Sequence, residues 1–250
     1  RGPEHPAHDL VVGGSLDDRG CVHVHDGVGD TDDEQGEERG PELRPGLHWL
    51  PDQDHLVLTA REGEIGFVAV YDDGHVFEFA YSEIAELAGA VAGDATVVVD
   101  DAAGSLGSLI ADARARAVLA DQFDAENDIR LVFVKLLIGV GRARRGERLN
   151  AGEFVRIWAV RHLVRAIRGR FGGASSSVRD AIDPVRRFEV EFPELGARIA
   201  EVLASPVEDA ARGLFEMARD VLGPGWSAFP SLAADAVQRR LGWGEADGTN

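Results

Sequence analysis

The apolar residues of this chain change their period once, and that change constrains the fold more than any single motif. Before about residue 120 they alternate. In Val76-Phe77-Glu78-Phe79-Ala80-Tyr81, successive side chains take opposite faces of a strand, with Phe77, Phe79 and Tyr81 on one and Val76, Glu78 and Ala80 on the other. Beyond it, apolar residues recur at helical spacing, as in Ile129, Phe133, Leu136, Leu137 and Val140. This pattern predicts an α+β protein. An N-terminal mixed β-sheet domain is expected over residues 1–120 and a C-terminal helical bundle over residues 121–250.

Local signals place several elements. Phe67-Val68-Ala69-Val70-Tyr71 and the strand from Val76 flank Asp72-Asp73-Gly74, whose turn chemistry predicts a β-hairpin. A short helix is expected over residues 82–90 and another strand over 96–99. In the second half, Asn150 with Glu153 three residues on predicts a helix start. Ser205-Pro206-Val207-Glu208 combines a cap, a first-turn proline and a capping-box glutamate, and that helix stops at Gly223. A last short helix is expected from about Leu232 to Leu241. Near the start, Leu10-Val11-Val12 reads as a short strand ending in a turn at Gly13-Gly14-Ser15. Residues 27–48 carry Asp30-Thr31-Asp32-Asp33-Glu34 and Gly36-Glu37-Glu38-Arg39-Gly40, with too little apolar surface to offset the entropy of ordering, and are expected to lack regular structure.

Composition decides which partners suit such a chain. Acidic residues number 44 against 26 basic ones, a net charge of -18, and Lys135 is the only lysine. That surface is self-repelling and calls for counter-ions, as in a salt-adapted cytoplasmic protein. It disfavours nucleic acid, since phosphate binding needs a basic face. Cys21 stands alone, so no intramolecular disulfide forms. No apolar run reaches the roughly 18 residues of a membrane span, no signal peptide is recognisable, and the expected compartment is the cytoplasm.

A strand leading to glycine and serine, an acidic segment, a hairpin with a carboxylate on its second strand and then helices make an informative order. From about Gly66 to Leu241 the sequence resembles the nucleotidyltransferase superfamily, especially the antibiotic-modifying branch that adenylylates aminoglycosides or lincosamides. The likeness is carried by Tyr71-Asp72-Asp73-Gly74-His75-Val76-Phe77-Glu78-Phe79, by Glu126-Asn127 through Gly141-Arg142-Ala143-Arg144-Arg145-Gly146-Glu147, and by Asp183-Pro184-Val185-Arg186-Arg187-Phe188.

The resemblance implies Mg²⁺-dependent transfer of a nucleoside monophosphate from a nucleotide triphosphate to a hydroxyl of a small acceptor. Gly14 and Ser15 would hold phosphate. Carboxylates suit Mg²⁺ because it takes hard oxygen ligands, and the metals neutralise charge as the hydroxyl attacks the α-phosphate. Asp26 takes the place of the first family aspartate and Glu78 that of the third carboxylate, where it would also accept the acceptor's proton. Glu126, Asn127 and Arg161 are the candidate acceptor contacts in the helical domain, against capping and solvated-face roles. The family's second aspartate falls on Val28, and Asp30 is the nearest replacement. Three readings follow: Asp30 serves, the site is degenerate and the protein binds without catalysing, or residues 17–55 are out of the native reading frame. A shared divalent ion requires Asp26 or Asp30 to come within about 5 Å of Glu78.

A different chemistry is offered by His23-Val24-His25-Asp26, whose two imidazoles share one strand face and suit Zn²⁺ in a hydrolase. Further ligands would have to come from His48, His55, His75 or His162, none of which stands in a ligand motif.

Overall fold

A computed structural model describes residues 9–15, 22–26, 50–62, 66–83, 87–92, 95–97, 103–120, 122–172 and 183–244, with the side chains of 9–15, 22–26, 62, 81–83 and 120 outside the description. The expected irregular stretch 27–48, with Asp30 within it, therefore lies outside the described residues. The chain is mixed α+β and divides into two compact units, Arg1–Val118 and Leu119–Asn250.

The first unit is built on a six-stranded sheet in the order β3-β4-β5-β1-β2-β6. Its strands are β1 (Asp9–Ser15), β2 (Val22–Asp26), β3 (Leu56–Glu62), β4 (Gly66–Tyr71), β5 (Val76–Glu83) and β6 (Ala95–Val97). β6 runs parallel to β2, and the other pairs are antiparallel. The β4–β5 hairpin closes through Asp72-Asp73-Gly74: Tyr71 N–H donates to the His75 carbonyl at 2.9 Å, and Gly74 turns back with φ 84°. A side chain is strained in that left-handed conformation, which is why glycine stands there.

Alternation sorts the two faces of β4 and β5. Phe67, Ala69 and Phe79 are buried with Leu50, and Phe77 and Leu56 pack against them. Phe67 and Phe79 stack with ring centroids 5.6 Å apart, an offset that aromatic quadrupoles favour. Glu78 lies on the opposite, exposed face. Two expectations need correction here. The strand runs through Gly13, Gly14 and Ser15 rather than turning there, because these residues pair with both β5 and β2. β5 likewise continues through Ser82 and Glu83, where a helix was expected, because β1 offers Leu10 and Asp9 as ladder partners.

Helix α1 (Ser105–Ala120) completes the unit, burying Leu106, Ala113 and Ala117. It is tied by Arg116 Nε to the Ala90 carbonyl at 2.7 Å and by Arg114 Nη2 to the Ala95 carbonyl at 2.6 Å.

The second unit is helical. It comprises α2 (Ala125–Arg144), α3 (Arg148–Gly152), a π-helical segment Glu153–Ala159, α4 (Val160–Phe171), α5 (Phe188–Glu191), α6 (Pro193–Leu203), α7 (Val207–Leu222) and α8 (Ser231–Leu241). Its core joins Ile129, Val132, Phe133, Leu136 and Val140 of α2 to Leu163, Val164 and Ile167 of α4 and to Leu214, Phe215 and Met217 of α7. Asp124 caps α2 by accepting from Asn127 N–H at 3.0 Å. Asn150 is not a cap. The helix has already begun at Arg148, and the Asn150 amide donates to Glu153 at 3.2 Å. Ser205 likewise gives α7 no side-chain cap, whereas α7 does end at Gly223 and α8 at Gly242 with φ 73°.

Candidate functional site

The sheet brings two of the expected site residues together and keeps a third apart. On β1, Gly14 stands directly opposite Glu78 of β5 on one side and Val22 of β2 on the other, with Ser15 opposite Phe77. Asp26 stands opposite Leu10, and Leu10 stands opposite Ser82. Reaching Asp26 from Val22 takes four residues of unbulged β2, about 13 Å along the strand, and two inter-strand spacings of about 4.8 Å separate β2 from β5. The register thus does not bring Asp26 to Glu78 within reach of one ion. Among the described residues no three His, Cys, Asp or Glu side chains gather to hold a metal. His23 faces Gly13 and Thr96 across the ladder, and His25 faces Val11; their side chains lie outside the described residues.

Beside Glu78 in sequence, Phe77 helps line an open cavity of about 520 Å³ at the hairpin end of the sheet, with Asp52, His55, Tyr71, Asp72, Asp73 and His75. His55 Nδ1 and an Asp72 carboxylate oxygen are 2.9 Å apart. The bond to Asp72 and its charge raise the His55 pKa above its ordinary value. Burial raises that of Tyr71, whose hydroxyl donates to the Pro51 carbonyl at 2.9 Å. The Asp73 side chain accepts from His75 N–H at 2.8 Å. The mouth is acidic and suits cationic groups.

In the helical unit, one cluster lies where the acceptor contacts were expected. Asp128, buried in the first turn of α2, accepts from Arg165 Nε at 3.2 Å through both oxygens and pairs with His162 Nδ1 at 2.9 Å. Its neighbours in sequence face solvent: Glu126 pairs with Arg130 at 3.3 Å, and exposed Asn127 donates its backbone N–H to the Asp124 cap. Arg161 lies 3.5 Å from Asp183. Arg168, three residues beyond Arg165, is buried, donating from Nε to Glu191 at 2.8 Å and from Nη1 to the Pro184 carbonyl. The arginine stripe of α4 is therefore divided among three acidic partners. Asp128 was missed from sequence, although it is a carboxylate falling in phase with Ile129, Val132 and Leu136, and that phase is the signal.

Comparison with protein-family models, with curated proteins and with solved structures found no match to this chain.

Proposed function

We propose that the protein transfers a nucleoside monophosphate, with Mg²⁺, to a hydroxyl of a small acceptor of the aminoglycoside or lincosamide kind. The observation that carries this reading is the pairing of Gly14 with Glu78 on adjacent strands. It puts the glycine-serine segment and the third carboxylate of the resemblance side by side in one sheet. Glu78 is exposed and so free to meet a hydrated ion. In this account the backbone at Gly14 and the Ser15 hydroxyl receive phosphate, and Glu78 holds metal and accepts the acceptor's proton. Glu126, Asn127 and Arg161 of the helical unit are the acceptor contacts that the resemblance implies. The acidic mouth lined by Asp52, Asp72 and Asp73 suits the amines of such an acceptor electrostatically.

One observation favours a second reading, binding without transfer. Asp26 stands four ladder positions from the level of Glu78, so the metal pair of an active transferase lacks its first aspartate there, and Asp30 lies outside the described residues. A single experiment separates the two. The protein is incubated with ATP, Mg²⁺ and a panel of aminoglycosides and lincosamides, and pyrophosphate is measured. Transfer predicts acceptor-dependent release that stops in Glu78→Gln. No release with any acceptor, from protein that is folded, leaves the binding reading.

A further inference from the structure

Four arginines line one surface cavity of the helical unit. The cavity, about 550 Å³ and open to solvent, is lined by Leu137, Ile138, Gly141, Leu241 and by Arg142, Arg144, Arg145 and Arg240. It forms where the C-terminal end of α2 meets that of α8.

Helix ends attract arginine because their carbonyls are unpaired and carry partial negative charge, and one of the four is used this way. Arg144 donates to the Leu241 carbonyl at 2.8 Å and is paired with Glu208. Its charge is therefore spoken for. The other three are under-neutralised. A single carboxylate, Glu147, serves both Arg142 at 2.9 Å and Arg145 at 3.0 Å, and the two guanidiniums lower its pKa. Arg142 Nε is a buried donor with no acceptor. Arg240 is exposed and has no acidic partner among the described residues. Counting Arg142, Arg145 and Arg240 against Glu147 leaves two positive charges, reduced by roughly half a charge for each of the two helix termini. Residues 119–250 are balanced, with 19 acidic against 19 basic residues, so unmatched guanidiniums gathered at one cavity are a local excess. The guanidinium fork matches the paired oxygens of a phosphate, and Leu137, Ile138 and Leu241 supply an apolar wall beside it.

We infer that this cavity is a binding site for a small organic phosphate, whose dianionic head lies between Arg145, Arg142 and Arg240 while its apolar body rests on Leu137, Ile138 and Leu241. The site belongs to the helical unit alone and does not depend on the reading of the sheet.

Titration calorimetry of the full chain in 0.5 M KCl, with inorganic phosphate and with phenyl phosphate as probes, tests this. The expected result is saturable one-to-one binding of phenyl phosphate, several-fold tighter than that of inorganic phosphate, weakened at least tenfold by Arg240→Glu. Arg198→Glu, an exposed position of α6 that does not line the cavity, makes the same change in net charge and is expected to leave binding intact. Should Arg240→Glu fail to fold, Arg240→Gln removes the charge without reversing it and is expected to weaken binding in the same direction. Equal binding of the two probes would leave an anion site without the apolar wall and overturn the organic class. Equal weakening by Arg198→Glu, or no saturable binding to the folded protein, would overturn the site.

Discussion

At the scale of single residues, the structure separates charges that hold the fold from charges left available. Asp128 is almost wholly buried, and its two partners are each less than a third exposed. Removing one partner of a buried pair strands the others, so Asp128→Asn is expected to lower stability by about 3 kcal/mol, the lower end of what breaking a buried pair costs. Chemical denaturation of the variant against the parent at one salt concentration measures it, and a loss under 0.5 kcal/mol would show that His162 and Arg165 do not need the carboxylate. His55 and Asp72 are the exposed counterpart, with side chains more than half accessible. The His55 pKa is raised by its bond to Asp72. Stability from this pair is thus complete below the unfolded value of about 6.5 and is lost as pH rises through the higher folded value. An NMR titration should place the His55 midpoint above that of a free imidazole and return it toward 6.5 in Asp72→Asn. An unchanged midpoint in the variant would mean that the pair does not persist in solution.

At the scale of elements, helix crossings are fixed by small residues. A Cβ added at Gly139 of α2 would lie 2.7 Å from Val155 Cγ2 and 3.2 Å from Phe154 Cβ, both in the π-helical segment. Gly139→Ala should therefore cost about 1–3 kcal/mol by overpacking, despite alanine's better helix propensity. A thermal melt showing stabilisation would mean that the two helices separate easily. The elements also divide by what their sequence reveals. The β4–β5 hairpin is legible because Asp72-Asp73-Gly74 and the alternation of Phe77 and Phe79 act over a few residues. The long helix α2 is legible through its period. What could not be read is the pairing of β1 with β5, because more than 60 residues of chain separate Gly14 from Glu78 and no local pattern encodes that register. The same pairing overrode the helix expected after Ser82, since ladder partners outweigh propensity. The candidate site shares this limit: its residue types stand out in sequence, but the distance from Asp26 to Glu78 is set by ladder geometry alone.

At the scale of the whole molecule, charge and site meet. With 44 acidic residues against 26 basic ones, self-repulsion opposes compaction, and added salt shortens the screening length from ~10 Å at 0.1 M to ~3 Å at 1 M. The melting temperature should rise between 0.1 and 2 M KCl; a flat or falling trend would mean that the acidic excess is not a folding constraint. Among the described residues no helix is long and apolar enough to cross a membrane. The function proposed for the sheet unit rests on Glu78 as a metal ligand beside Gly14, and the Mn²⁺ retained with the protein in equilibrium dialysis, with and without ATP on both sides of the membrane, probes that directly. Measured in KCl sufficient for folding, the parent protein should take up Mn²⁺ in an ATP-dependent, saturable manner. Glu78→Gln should weaken that uptake at least tenfold while its melting temperature stays within a few degrees of the parent's. Uptake of equal strength in the two proteins would contradict the account.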